Sequence, residues 1–240
     1  MQSGAPRFLP AGEMALVVEF GTTIDPALND RVRALDRALA AQPIAGIVET
    51  VPTYRSLMIH FDPRVLSTAA LSERIRRLDP EPDDVGAPAR HWLIPVCYDA
   101  PHAEDLGEVA AALGLSPEKV AALHAGAAYR VYMYGFAPGY VFLGGLPSEL
   151  TISRRPVPRP PVAPGAVLIA GGQALIASIA MPTGWYDIGR TPAALFDPRR
   201  RPAFLVEIGD MVTFEPIDGA TFAALQQAAA EGLPVARPKA

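Results

Sequence analysis

A single cysteine, Cys97, is all that the 240 residues contain, which excludes an internal disulfide and a cysteine-rich zinc site. Charge of one sign is also scarce. Lys and Arg number 21 against 25 Asp and Glu, a net charge of −4. No run of Lys and Arg offers a surface that could track phosphates, so no nucleic-acid partner is expected. Uninterrupted apolar stretches of the ~18 residues needed to cross a bilayer are missing, so no membrane partner is expected either. The segment Met1 to Pro10 lacks the basic-then-apolar order of a secretory signal, and the expected location is the cytoplasm. Short catalytic signatures are absent too: HExxH, paired cysteines, GxxxxGK[ST], GxSxG and GxGxxG. The four histidines, 60, 91, 102 and 124, never fall at ligand spacing, and no metal site is expected.

Proline and glycine are abundant instead, at 26 and 20 residues. Proline is at about twice its ordinary ~5% share, so the chain is cut into short elements joined by tight turns. Hydrophobic residues make up 50% and charged residues 19%. That composition builds a core and argues against disorder.

In the first third, Met14 to Phe20 is a compact β-branched run between glycines and reads as a strand. Asp25-Pro26 reads as an N-cap followed by proline in the first helical turn. Leu28, Val32, Leu35 and Leu39 follow at one-face helical spacing. Two strands, Gly46 to Val51 and Leu57 to Phe61, precede a second helix from Ser67 to Leu78. The order strand, helix, strand, strand, helix predicts an α+β layer of ferredoxin-like type. Asp79 to Arg90 carries three prolines and four acids with little to bury, and reads as a boundary. The expected division is an α+β domain over 1–80, a linker over 81–90 and a β-barrel domain over 91–240.

After the boundary come a strand from His91 to Tyr98, a helix from Ala103 to Leu113 and a helix opened by Ser116-Pro117 and ending near Ala125. From Tyr129 the rhythm changes. Tyr129 to Phe136, Val167 to Ala170, Ala174 to Ser178 and Met211 to Phe214 are short strands spaced by Gly/Pro turns, the pattern of a barrel or closed sandwich. Leu233 to Ala240 reads as a fraying tail.

Four segments stand out as candidate ligand contacts, and each has a structural reading beside the functional one. Tyr134 to Pro147 packs four glycines and four aromatics into fourteen residues, suiting either an aromatic cleft or a turn-rich barrel corner. Arg154, Arg155 and Arg159 lie in a proline-stiffened run whose guanidinium forks match carboxylate or phosphate. Arg155 reads there as part of a solvated loop. Gly171, Gly172 and Gln173 follow a strand and form either an anion-accepting nest or a hairpin turn. Trp185, Arg190 and Thr191 form either a ligand wall or barrel packing. His124, on the apolar helix before a strand, is either a buried packing residue or an acid/base.

The segments IPVCY, the helix ending in His124, YRVYMYGFAPGYVFLGGLP, the Arg/Pro run, GAVLIAGGQ and GWYDIGRTPAALFD together resemble the KipI-type family. That family is also known as allophanate hydrolase subunit 1 or carboxyltransferase subdomain C and D, and it includes the B subunit of the prokaryotic 5-oxoprolinase complex. The resemblance runs from about Gly12 to Ile217. It implies an N-terminal α+β domain followed by a cyclophilin-like β-barrel. The implied activity is ATP-dependent opening of the 5-oxo-L-proline lactam to L-glutamate, with magnesium accompanying ATP. The implied partners are the C subunit of that complex, a KipA-type protein sharing the active site, and a LamB-type component A. On this resemblance His124 and Arg190 are the catalytic candidates, and Arg159, Gly171, Gly172, Gln173, Trp185 and Thr191 the substrate-binding ones. Two departures fall in the expected ligand wall: Ala174-Leu175 where the family has Thr-Gly, and Met181 to Gly184 where Ser-Pro-Gly-Gly is usual. Two other activities occur in the same family, inhibition of a sensor histidine kinase and carboxyl transfer with a separate biotin carrier.

Overall fold

The structure, a computed structural model, describes residues 5–78 and 89–239. The chain divides into two compact units, Met1–Pro88 and Ala89–Ala240. The linker expected over 81–90 falls, for residues 81–88, outside the described residues.

The first unit contains β1 (Arg7–Pro10), β2 (Ala15–Glu19), α1 (Pro26–Ala41), β3 (Ile47–Pro52), β4 (Ser56–Phe61) and α2 (Thr68–Leu78). Its sheet has the order β1-β2-β4-β3, and every pairing in it is antiparallel. Alternation sends Leu16 and Val18 of β2 and Leu57, Ile59 and Phe61 of β4 to one face. There they meet Val32, Leu35 and Leu39 of α1 and Leu71 and Ile75 of α2. Each of these buried apolar side chains contributes about 1.5–3 kcal/mol on leaving water. The helix start read from sequence is present: the Asp25 carboxylate accepts the Ala27 N–H at 2.8 Å. Strand β1 is an addition to the expected order. It is a four-residue edge strand ending in Pro10, a residue tolerated in such a place because no ladder hydrogen bond is demanded of it.

The second unit is a closed barrel. Its strands are β5 (His91–Cys97), β6 (Ala128–Tyr134), β7 (Val141–Gly144), β9 (Ala166–Ala170), β10 (Gln173–Ile176), β12 (Tyr186–Arg190) and β13 (Met211–Ile217). They run in the order β12-β9-β10-β7-β6-β13-β5, and β12 pairs back onto β5 through Arg190 and Cys97. Closure of the ring removes exposed edges. Helices α3 (Leu106–Leu113) and α4 (Pro117–Gly126) follow β5. A two-stranded ribbon, β8 (Arg159–Val162) with β11 (Met181–Thr183), covers part of the wall.

Two expectations are corrected here. The C-terminal residues do not fray: α5 (Gly219–Ala230) leads to β14 (Arg237–Pro238), which pairs with β5, and the Lys239 N–H donates to the His91 carbonyl at 2.7 Å. Helix α3 starts at Leu106 rather than Ala103, because the preceding residues are used in an ionic corner described below.

Side-chain alternation sorts the wall. Val167, Ile169, Ala174, Ile176, Tyr186 and Ile188 fill the main core. Ala166, Leu168, Ala170, Leu175 and Trp185 form a second cluster on the opposite face. Asp187, between Tyr186 and Ile188, is therefore directed out of the main core.

Candidate functional site

The corner begins with Asp105, the residue before α3. Its backbone N–H donates to the Asp187 carbonyl at 2.8 Å, and its carboxylate accepts the Asp187 N–H at 2.8 Å. That exchange fixes the start of α3 against β12. The proline-stiffened run then delivers two guanidiniums. Arg155 donates to Asp105 at 3.0 Å and to Glu108, and lies over the Tyr186 ring at 4.4 Å. Arg159 donates to Asp105 and to Glu104. Arg155 is thus no solvated loop residue. It is held from two sides, because the backbone N–H that carries it also bonds the Gly184 carbonyl.

Beside this saturated clamp lies its opposite. The Asp187 side chain is fully buried, yet neither carboxyl oxygen has a hydrogen-bond partner. The nearest cation, Arg190 on the same strand, stands 4.0 Å away. Burial pushes the Asp187 carboxyl up to about 7. Arg190 and Arg159 pull it back down, while the negative charges of Asp105 and Glu104 add to the rise. The Arg190 stem passes Gly165, where an added Cβ would come within 3.5 Å of it. His102 completes the surroundings. Its ring lies 4.1 Å from Phe222, and burial, then the Arg190 charge, lowers its pKa.

Unsatisfied polarity is concentrated here. Six buried side-chain polar atoms of this corner lack a hydrogen-bond partner: both Asp187 oxygens, His102 Nδ1, and the Nε atoms of Arg155, Arg159 and Arg190. Buried polar atoms are ordinarily paired, so this concentration makes the corner the candidate site. A cavity of about 190 Å³ is lined by Gly165, Thr191 and Phe222 among others, but not by Asp187, Arg190 or His102 themselves.

Of the residues singled out from sequence, Arg159, Arg190 and Thr191 come together here. Thr191 lines the cavity, though its hydroxyl already accepts the Ala193 N–H and its own N–H is given to the Gly165 carbonyl. Gly171, Gly172 and Gln173 do not join them. They form the β9–β10 hairpin turn, with both glycines at positive φ. Arg190 pairs with Ala166 at the other end of β9, and Gln173 with Ala170. Four residues at ~3.3 Å separate the two ends by roughly 13 Å. The Gly171 N–H is also taken by the Ile152 carbonyl. Trp185 packs in the second cluster, edge-on to Phe142.

His124 lies fully buried on α4. Its Nδ1 bonds the Tyr98 hydroxyl at 2.7 Å and its ring stacks on Phe214 at 4.7 Å. Desolvation lowers its pKa to about 3, so the imidazole is neutral and a weak base, a poor match to proton transfer near neutrality. Sequence reasoning missed Asp187, Asp105 and Glu104. One signal was available for Asp187: an aspartate inside a run otherwise fit for a strand, YDIGR.

The second unit is thus a closed barrel whose wall carries a buried, under-satisfied ionic corner. Similarity to known proteins then specifies it. Residues 6–206 match the family described as carboxyltransferase domain, subdomain C and D, and the chain belongs to that family. It is 37% identical over 214 residues to the B subunit of 5-oxoprolinase from Bacillus subtilis, covering 85% of this chain and 89% of that one. It is 36% identical over 206 residues to the B subunit of 5-oxoprolinase from Escherichia coli O157:H7, covering 85% and 93%. The crystal structure of TTHA0988 matches with a TM-score of 0.76 at 40% identity over 85% of this chain, which spans 40% of that longer one. No helix among the described residues is long and apolar enough to cross a membrane.

Proposed function

We propose that this chain is the B subunit of a cytoplasmic, ATP-dependent 5-oxoprolinase that opens the 5-oxo-L-proline lactam to L-glutamate together with a C subunit and a LamB-type component A. The similarity to two proteins carrying that name over most of their length supports it. The observation that carries the chemistry is the Asp187–Arg190 pair, an unpartnered buried carboxyl 4.0 Å from a guanidinium. A carboxyl held near 7 is able to exchange a proton at neutral pH. Arg190, with its Nε unpartnered, is placed to stabilise negative charge developing on a carbonyl oxygen.

ATP does not fit this corner. Nη2 of Arg155 and both Nη atoms of Arg159 are taken by Asp105, Glu104 and Glu108. A polyphosphate brought here would meet these acids before it met a free cation. The Gly171–Gly172 turn has already given the Gly171 N–H to Ile152. We therefore read ATP and its magnesium as held by another part of the assembly, and no step is assigned to them on this chain.

At the level of architecture we read the first unit as ferredoxin-like, since β1 occupies the sheet edge that a strand after α2 would fill in the βαββαβ arrangement. The seven-strand ring we read as cyclophilin-like. The deciding experiment is reconstitution of the chain with its partner proteins, followed by assay of glutamate release from 5-oxoproline. Release that requires ATP and this chain supports the reading. Its absence with every component folded and present overturns it.

A further inference from the structure

Asp187 and Arg190 hold complementary hydrogen-bonding capacity side by side, unused by the protein. Arg190 offers donors only, and Asp187 as a carboxylate offers acceptors only. They are 4.0 Å apart, too far to satisfy one another well. A group inserted between them would need an acceptor and a donor on one edge. An ordinary trans amide points its N–H and C=O in opposite directions. A lactam is locked cis by its ring and presents both on the same side.

We infer that Asp187 and Arg190 read the cis-amide edge of a small lactam, the ring N–H donating to the Asp187 carboxylate and the ring carbonyl accepting from Arg190. This deepens the proposed function and rests on it for the identity of the natural ligand, but the recognition follows from the pair itself. Space lies near the pair: Gly165, against the Arg190 stem, and Thr191, next to it in sequence, line a cavity of about 190 Å³, roughly six waters at ~30 Å³ each, while Asp187 and Arg190 are not themselves lining residues. The cavity walls approach the pair through Gly165, which flanks the Arg190 stem, and Phe222, whose ring lies tilted against His102. Arg155 and Arg159 cannot substitute, their forks being committed to Asp105, Glu104 and Glu108.

Asp187 is the specificity-determining residue in this arrangement. Burial first, then Arg190 and Arg159 from β12 and β8 and, opposing them, Asp105 and Glu104 ahead of α3, set its charge state. His102 stands by Arg190. Lactam affinity rises as the pH passes upward through about 7, when the acceptor becomes fully charged.

The test is calorimetric or NMR titration of the full chain with three ring probes: 5-oxoproline, 2-pyrrolidinone and γ-butyrolactone, which lacks the N–H. The two lactams should bind at least about tenfold more tightly than the lactone, the worth of one charge-assisted hydrogen bond. Asp187→Leu should abolish that preference while leaving the fold intact. Asp187→Asn, which still accepts through its amide oxygen, should retain lactam binding but lose its pH dependence. Equal binding of lactam and lactone, no binding of either lactam, or an undiminished preference in Asp187→Leu would each overturn the inference. The assembled complex separates the two readings. ATP-dependent glutamate release by the wild-type complex, with lactam and lactone bound equally, sinks the lactam contact and keeps the proposed function. Lactam preference without turnover keeps the contact and sinks the function.

Discussion

Asp105 and Asp187 are tied across the start of α3, the Asp105 N–H donating to the Asp187 carbonyl and the Asp187 N–H to the Asp105 carboxylate, and both side chains are withdrawn from water. Their treatment differs sharply. Asp105 is met by two guanidiniums and a backbone N–H. Asp187 is met by none within hydrogen-bonding distance. Asp210, at the start of β13, is handled like Asp105: it accepts from the Arg90 N–H, the Trp92 indole and the Glu207 N–H. A fold that twice surrounds a buried aspartate with donors has no general difficulty in doing so. The missing donors at Asp187 are therefore a property of that place, and stability is surrendered there as it commonly is at sites of function.

The largest effect expected from this contrast is at the clamp. Asp105→Ala leaves Arg155 and Arg159 without their shared partner and the Asp187 N–H unpaired. Breaking a buried ion pair from one side costs about 3–5 kcal/mol. Denaturant unfolding should show that loss. A cost under about 1 kcal/mol would mean that the clamp is as slack as its neighbour, and the contrast would collapse.

At Asp187 the sign reverses. Asp187→Leu replaces an unpaired buried carboxyl with a side chain of similar size and should stabilise by about 1–3 kcal/mol. The pH dependence carries the same message. In the unfolded chain this carboxyl releases its proton near 3.8, while the fold holds it to about 7. Between those values the folded state binds more protons, so the residue's contribution to stability falls as pH rises through the window. Unfolding free energies of wild type and Asp187→Asn, compared from pH 4 to 7, should converge at the acid end and separate toward neutrality, with the wild type the less stable. Parallel curves would show that Asp187 is ionised in the fold throughout.

The contrast also explains what is readable in the sequence. Helix α1, with its Asp25 cap and its Val32, Leu35 and Leu39 stripe, and α4, with Ser116 capping Lys119 at 3.2 Å, follow from local rules. Strand β9 is a plain apolar run and is legible for the same reason. Strand β12 is not: YDIGR breaks the apolar pattern with the two residues that make it interesting. The guanidiniums of the Arg/Pro run are visible as candidates, but their partners Glu104, Asp105 and Glu108 lie about fifty residues earlier, and no spacing rule links them. Helix α5 and the β14 pairing escape notice because an Ala-rich stretch near a chain end carries a weak amphipathic pattern and draws its order from the barrel.

A third buried ionisable group sharpens the comparison. His124 also has an unpartnered nitrogen, Nε2, but its neighbours are the rings of Tyr98, Tyr129 and Phe214 and no charge. The unpaired atom of His124 thus lies among rings, those of Asp187 among charges. His124→Phe should cost about 1–3 kcal/mol, mainly through the Tyr98 hydroxyl left unpaired. Turnover of the assembled complex should stay within a few-fold of wild type. Loss of 10²–10⁴-fold, the usual contribution of a general acid or base, would instead make His124 catalytic.

The smallest expected effect comes from the hairpin turn at the far end of β9. Gly171 has φ +57 and a Cβ there would meet nothing within 4 Å. Gly171→Ala therefore clashes with no neighbour and costs only the left-handed backbone, about 1 kcal/mol. If Gly171 and Gly172 formed the anion nest, that change would also disturb ligand binding, because the nest depends on the same backbone dihedrals. The turn lies roughly 13 Å from Arg190 along the strand, on the ~3.3 Å rise of β structure, and its first N–H is already spent on Ile152. Lactam affinity in Gly171→Ala should thus equal that of wild type while the melting temperature drops by a few degrees. A fall in affinity larger than the fall in stability accounts for would move the binding site away from Asp187 and Arg190 to the opposite end of the sheet.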